Sequence, residues 1–333
     1  MKRVTLSDIA KATGFSVNTV SHALNDKADI SLGTKELIRK EAKRLGYFGN
    51  ASASFLRSGH SKTVSIIVPD ISNPHFSIMI KEMQVALNNA GYTSILFNTD
   101  ENEEIESNAI RTSLGKNVDG IIICPVQKTE NNVLFLEKTE IPYVLFGRNF
   151  SFDRFCYVVC DNANGGFLAG QKAICDSGNK EILFLNGQSY ISSAGERLSG
   201  IKKAFEQSNV PLERLKMFEV SPMLEPKSED IERIFCLQKQ FGAVICFSDL
   251  IAMHVCYKLR KLGSKVPIDV SVIGFDDIAS KFSLPVHLSS VSSSKMLMSV
   301  KAVELLFMRM NGEPLENCRV ILPTELVLRE TTK

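Results

Sequence analysis

The sequence predicts an α/β protein: an all-α basic head over residues 1–49, a short linking helix over 50–60, and a body over 61–333 built on parallel sheets. Three observations predict it. Residues 1–62 carry eleven Lys/Arg against five Asp/Glu, whereas the remainder carries 28 against 32. Helix-spaced apolar residues broken by glycine fill the head. From Thr63 onward, short apolar runs alternate with amphipathic stretches, the pattern of strands buried under helices on both faces. The 333 residues fit about two folded units, and 44% hydrophobic against 23% charged residues can bury a sizeable core.

The first helix begins at Thr5, whose capping-box acid is Asp8, and places Leu6, Ile9 and Ala10 on one face. Gly14 breaks it. Ser16 caps a second helix, Val17 to Leu24, in which Val17, Val20 and Leu24 recur at i, i+3 and i+7. Ser31 starts a third through Leu37, Ile38, Ala42 and Leu45, and Gly46 suits its left-handed end. Three helices this short bury little apolar area, so the head leans on DNA, a partner or the body.

Two helices joined by a tight turn at Gly14 make a helix-turn-helix, whose second helix enters a DNA major groove. Any helical hairpin shares that outline; the basic excess and polar outer face favour the nucleic-acid reading. Val17, Asn18 and His22 project from the N-terminal and central part of the second helix. Asn pairs bidentately with adenine and His donates to guanine acceptors. Ser16, Thr19, Ser21, Asn25 and Tyr47 are placed for phosphate, with Thr5 and Leu6 at the first helix start also counted as DNA-contacting. From Asn50 to Ser58, ending at Gly59, runs a segment able to form one short helix. It is below the ~12–15 residues that are marginally stable in water, so it orders only when held.

In the body, strands are expected at Val64–Val68, Thr93–Phe97, Gly120–Cys124, Tyr143–Phe146, Val158–Cys160, Ile182–Leu185, Met217–Val220, Ala243–Phe247 and Val270–Phe275. Helices are expected at Ser77–Ala90, Asn102–Lys116 and Arg197–Gln207. The two halves share their element order, as a duplicated lobe would. Ligands of such sheets bind beyond the carboxyl ends of the strands. Those ends carry His75 and Phe76, Arg148, Asp161, Phe247, Asp249 and Asp276, and Arg197 opens the helix after Gly187–Gly195. Carboxylates and guanidinium groups beside Phe rings suit a polar ring-shaped ligand. An Asp after a strand is also the usual cap of the next helix, which applies to Asp161 and Asp249.

The eight cysteines form no CxxC pair and no metal grouping with the five histidines. Most sit in apolar runs, as Cys124 and Cys246 do, and are expected to be free and buried in a reducing cytoplasm. No apolar run approaches the ~20 residues that span a bilayer, and Met1–Ala10 lacks a secretory apolar region. GxSxG, GxxxxGKS/T, HExxH and post-strand GxGxxG motifs are absent, and Gly165–Gly170 has the wrong spacing for the last, so neither enzyme nor cofactor is expected. An exported solute receptor of similar build would need an export signal and no basic head.

Two sets of strings carry a family resemblance. The head, "VTLSDIAKATGFSVNTVSHALN" from Val4 to Asn25, resembles the headpiece of the lactose-repressor (LacI/GalR) family of bacterial transcription regulators. In the body, "VPDISNPHF", "IPYVLFGR", "DNANGGFLAG", "GERLSGIKKAF", "VICFSDLIA", "VPIDVSVIGFDDI" and "PTELVLRE" are similar to strings of the same family. The resemblance implies two periplasmic-binding-protein-like lobes joined by three crossovers. The first would comprise about 61–161 and 292–320, the second about 162–291 and 321–330. It implies a cleft lined by His75, Phe76, Arg148, Asp161, Arg197, Phe247 and Asp276 that takes a small effector, a sugar or sugar derivative. It also implies a hinge helix in the minor groove, with Asn50 and Ala53 beside DNA and Leu56 wedged into a base step.

The implied partners are double-stranded operator DNA, the effector and a second copy of the chain, with no membrane. The implied activity is repression of transcription from a palindromic operator, modulated by the effector. Four residues after Arg329 leave no room for a leucine-heptad tail, so a dimer is expected. Departures from the family pattern are His22 for Arg, His75 for an aromatic residue, Gly49 for Pro and Ser54 for Arg. Two cleft arginines would tolerate a sugar phosphate or carboxylate; a neutral sugar or nucleobase also fits.

Overall fold

The computed structural model describes residues 4–48, 59–150, 155–221, 241–281, 286–314 and 318–333. The expectations for Asn50, Ala53 and Leu56 lie outside the described residues. Contacts divide the chain into two units, residues 1–61 and 62–333.

The first unit holds α1 (Leu6–Thr13), α2 (Val17–Leu24) and α3 (Leu32–Leu45). Each boundary has a local cause. The Thr5 amide donates to Asp8 Oδ2 at 2.8 Å, and the Ser16 and Ser31 hydroxyls accept from Thr19 N and Thr34 N. Gly14 and Gly46 end α1 and α3 in the left-handed region, at φ 75° and 70°, where a side chain would be strained. Ile9, Ala10, Val20, Ala23, Ile38 and Ala42 form the small core, one apolar stripe from each helix.

The second unit has two six-stranded sheets. The first sheet contains β1 (Thr63–Val68), β2 (Thr93–Asn98), β3 (Gly120–Ile123), β4 (Tyr143–Phe146), β5 (Tyr157–Cys160) and β11 (Arg319–Leu322). Its order is β11-β5-β4-β3-β1-β2, parallel throughout. On one face α4 (Pro74–Asn89) and α10 (Lys295–Met310) pack through Met79, Met83, Leu87, Ala302 and Leu306; on the other, α5 (Glu103–Gly115) and α6 (Asn131–Glu137) pack through Ile110 and Leu136.

The second sheet contains β6 (Glu181–Asn186), β7 (Leu215–Glu219), β8 (Phe241–Cys246), β9 (Ser271–Phe275), β10 (Ser289–Ser293) and β12 (Thr324–Val327). Its order is β12-β10-β9-β8-β6-β7, and only the β10–β12 pairing is antiparallel. α9 (Asp249–Lys261) covers one face; α7 (Asn162–Ser177) and α8 (Ser192–Gln207) cover the other. The chain crosses between lobes after β5, after β10 and after β11. The last crossing falls beyond Leu322, slightly later than the expected 320.

Three strands stand where none was expected. β10 reads Ser-Ser-Val-Ser-Ser and offers one apolar residue, so no hydrophobic pattern marks it. It is nonetheless buried, because Ser289 bonds Thr332 Oγ1 at 2.8 Å and Ser290 bonds Asp249 Oδ1 at 2.5 Å. β11 and β12 are four residues each and flank Pro323. The cysteine expectation also needs correction. Cys156 and Cys318 form a disulfide across 162 residues of sequence, tying the approach to β5 to that of β11; among the described residues the other cysteines are free. Sequence spacing gave no sign of the pair because the parallel β5–β11 pairing brings it together.

Candidate functional site

In the first unit, α2 presents the expected polar face. Asn18, Val17 and Ser16 are exposed, and Thr19, Ser21 and His22 are half-buried. Ser16 shares its hydroxyl with Thr19 at 2.9 Å while capping α2. Asn25 amends the expectation: its amide donates to the Ser21 carbonyl at 2.6 Å, closing the end of α2. Leu6 and Tyr47 rest half-buried against the three-helix core. His22 Nδ1 lies 2.6 Å from Asp29 Oδ2 in the loop before α3, a pairing that no helical pattern marks.

In the second unit, a cavity of about 60 Å³ lies between the two lobes, at the carboxyl ends of β1, β4, β8 and β9. That is where parallel strands leave room between helix N-termini. His75, Phe76, Arg148, Arg197, Phe247 and Asp276 all line it. His75 opens α4 after the Asn73 cap, and its Nδ1 faces Asp276 Oδ1 across the cleft at 3.4 Å, without hydrogen-bond geometry. Burial holds the His75 imidazole well below its usual pKa, at about 4; Asp276 opposes the shift, and Lys295, Arg197 and Arg148 add to it. Asp276 itself sits at φ 102°, a left-handed position unusual for a side chain and one often found in ligand sites.

Arg197 does not open its helix. α8 begins at Ser192, five residues earlier, because Gly195 is accommodated inside the first turns. The guanidinium therefore points from the second turn, with its Cζ 3.4 Å from the Phe275 ring centre and 4.5 Å from that of Phe247. Its Nε donates to Asn162 Oδ1 at 3.0 Å, and Nη1 donates to the Phe247 carbonyl. Burial lowers its pKa and Asp276 pulls the other way. α8 reaches this place because α7 and α8 touch through glycines: a Cβ on Gly200 would lie 1.9 Å from the Ala163 carbonyl oxygen, and one on Gly166 2.1 Å from the Arg197 carbonyl oxygen.

Arg148 is paired with Glu101 through both guanidinium ends and also donates to the Pro125 carbonyl at 3.0 Å. Glu101 escaped the sequence reading, although it lies just past the carboxyl end of β2, where the strand-end rule would have found it. Phe275 and Asn162, which hold Arg197, belong to strings that pointed to the site without being singled out.

Two expected cleft residues stand elsewhere. Asp161 caps α7 by accepting from Asn164 N at 2.8 Å, and its side chain does not line the cavity. Asp249 lies beneath the cleft, accepting from Ser290 Oγ and from Ile278 N at 2.8 Å. Burial raises its pKa to about 8, with Asp276 pushing the same way against those two hydrogen bonds. Asp161 is thus the helix cap that an Asp commonly supplies after a strand, whereas α9 is capped by Ser248, whose hydroxyl accepts from Ile251 N, and Asp249 instead ties α9 to β10 and to Ile278. Lobe-to-lobe hydrogen bonds join Gln127 Oε1 to Ser192 N at 2.9 Å and Asn149 N to Ser192 Oγ at 3.3 Å.

No group of three His, Cys, Asp or Glu among the described residues is placed to hold a metal. A helix-turn-helix unit and a two-lobed body with a cleft at its strand ends are thus present in one chain. Residues 5–50 match the family model "Bacterial regulatory proteins, lacI family", and 173–332 match "Periplasmic binding protein-like domain". Similarity also runs the length of the molecule: the chain is 30% identical over 332 residues to the HTH-type transcriptional repressor PurR of Histophilus somni (strain 129Pt), covering 99% of each. The chain belongs to the lacI family of bacterial regulatory proteins.

Catabolite control protein A of Priestia megaterium is as similar, 30% over 332 residues with 99% of each chain covered. Among solved structures, the transcriptional regulator CelR–cellobiose complex superposes with a TM-score of 0.71 at 26% identity, covering 99% of this chain and 100% of that one. As a lacI-family member, the chain is a DNA-binding regulator of transcription with a ligand-binding body. Among the described residues, no helix is long and apolar enough to cross a membrane.

Proposed function

We propose that the protein is a cytoplasmic, dimeric repressor that binds a palindromic operator through α2 and responds to a sugar held in the interlobe cleft. The observation that carries the reading is Arg197: a buried guanidinium held between two Phe rings, with Nη2 left without a partner and Asp276 beside it. That is a charged hydrogen-bond donor and an apolar face in one place, the chemistry a polyhydroxyl ring calls for. CelR, structurally similar over its whole length, binds cellobiose.

At the operator, Asn18 and His22 read base edges, and Val17 packs against them. Ser16, Thr19, Ser21 and Tyr47 contact phosphate together with nearby Lys and Arg, so affinity falls steeply with salt. Two-fold symmetry in the dimer is mirrored in two operator half-sites. A ligand bridging the lobes across His75 and Asp276 changes the relation of the two lobes, and with it the affinity for DNA.

The test measures operator binding by fluorescence anisotropy, using DNA selected from a random pool, across a panel of sugars. At least one sugar should shift the affinity of the intact chain, and Arg197→Ala should lose that shift. A response that survives in Arg197→Ala with the same sugar affinity would overturn the cleft assignment.

A further inference from the structure

The charge arrangement of the cleft narrows its ligand. Among the described residues, three carboxylates line it, Asp70, Glu101 and Asp276, against two guanidinium groups, Arg148 and Arg197. Arg148 is committed to both oxygens of Glu101. His75 adds no positive charge at neutral pH, since its pKa lies at about 4. Behind the lining, Arg329 is held by Asp277 at 2.7 Å, and Lys295 donates to the Asp277 carbonyl at 3.2 Å. Among the described residues, the cationic donor of the lining left without a hydrogen-bond partner is therefore Arg197 Nη2, and Asp276 interacts electrostatically with this guanidinium. With the Arg148–Glu101 pair neutralising itself, a phosphate would meet one cation, Arg197, and two carboxylates, Asp70 and Asp276, among largely buried side chains, where like charges are weakly screened. Asp70 Oδ1 already accepts from Ser72 N and Oγ at 2.8 and 2.6 Å; its acceptor character suits hydroxyl donors, not an anion.

We propose that the cleft takes an uncharged polyhydroxyl ligand, a free sugar or sugar alcohol without phosphate or carboxylate, with one hydroxyl accepting from Arg197 Nη2 and another donating to Asp276. This rests on the reading of the cleft as the effector site. The probes are paired neutral and phosphorylated sugars at constant ionic strength: ribose with ribose 5-phosphate, xylulose with xylulose 5-phosphate, and cellobiose with its 6-phosphate, followed by a wider panel built the same way. Binding is read by titration calorimetry on the full chain. Neutral members should bind, and each phosphate ester should bind at least ~100-fold more weakly, the effect of a like charge placed against buried carboxylates. Asp276→Asn should narrow that gap by weakening the neutral sugar and strengthening the ester. An ester that binds wild type as tightly as its neutral partner, or more tightly, overturns the proposal. If neither class binds anywhere in the panel, the sugar reading itself fails, and the proposal with it.

A second inference rests on a different observation, the 2.6 Å contact of His22 Nδ1 with Asp29 Oδ2. The side chain at His22 would otherwise sample several rotamers on α2. The geometry points to Asp29 as a positioning residue that fixes the ring so that Nε2 is the atom offered to a base edge. The hydrogen bond holds Asp29 below the usual carboxylate pKa, as expected for a carboxylate that engages the ring. The test compares binding to operators substituted at each base pair, for wild type, Asp29→Ala and Asp29→Asn. Asp29→Ala should lose discrimination at one base pair per half-site by ~5- to 100-fold while keeping the salt slope that reports phosphate contacts. Asp29→Asn should recover part of that discrimination. A uniform loss at all positions, or none at any, overturns it.

Discussion

Gly200→Ala tests how the sequence aims Arg197. In α8, Ala should favour the helix over Gly by about 0.5–1 kcal/mol. The structure sets a larger opposing effect. The added Cβ would sit 1.9 Å from the Ala163 carbonyl oxygen and 2.7 Å from Phe167 N, where ordinary contact begins near 3.4 Å. The obstacle is the backbone of α7, which cannot rotate away like a side chain, so α8 must retreat by about 1.5 Å at this point. Overpacking of this kind costs ~1–3 kcal/mol or more, enough to outweigh the helix gain. With a Tm shift of roughly 2–4 °C per kcal/mol for a unit of this size, the melting temperature should fall by several degrees. The same retreat moves Arg197, three residues away on α8, off the Phe275 ring that it touches at 3.4 Å, so sugar affinity should fall with stability. Calorimetry and a sugar titration on the one variant read both effects. Gly200→Ala melting at or above the wild-type temperature with unchanged sugar affinity would refute the argument that this close approach positions the site.

Further predictions follow from the buried charges and the assembly. Asp249 is protonated in the folded protein up to about pH 8 but only up to the ordinary Asp range, about 3.8, when unfolded. Its favourable contribution is therefore complete below pH 4 and is lost as pH rises toward 8, with a slope of up to ~1.4 kcal/mol per pH unit. Urea melts at pH 6 and 9 should show it, and Asp249→Asn should flatten that slope; an unchanged slope would contradict the assignment. Glu101→Gln leaves Arg148 buried without its counter-charge and should cost ~3–5 kcal/mol, measured by denaturant melts; a loss below about 1 kcal/mol would mean the pair is dispensable. Light scattering should return the mass of two chains, and a tetramer would contradict the dimer reading.

The ends of the strands were the most legible part of the sequence. His75, Phe76, Arg148, Arg197, Phe247 and Asp276 could be placed together because parallel sheets put their carboxyl-end loops at one rim. The head was equally legible, since Thr5, Ser16, Ser31, Gly14 and Gly46 each act through hydrogen bonds or dihedrals within a few residues. What escaped depended on contacts distant in sequence. β10 is a serine strand whose hydroxyls find partners at Asp249 and Thr332, and polar residues so satisfied leave no hydrophobic period. The Cys156–Cys318 bond requires β11 to return beside β5. Asp161 and Asp249 were ambiguous because an Asp after a strand serves equally as a helix cap or a ligand group; the hydrogen bonds make Asp161 the cap and leave Asp249 as neither, since Ser248 caps α9.

Occupancy of the cleft is proposed to govern the grip on DNA. The direct measurement is operator affinity of the intact chain at fixed salt, titrated with a neutral sugar shown by calorimetry to bind in an Arg197-dependent way. Operator affinity should change by ~5- to 150-fold, saturating with sugar binding, and the change should be absent in Arg197→Ala. A sugar that fills the cleft while operator affinity stays constant would contradict it.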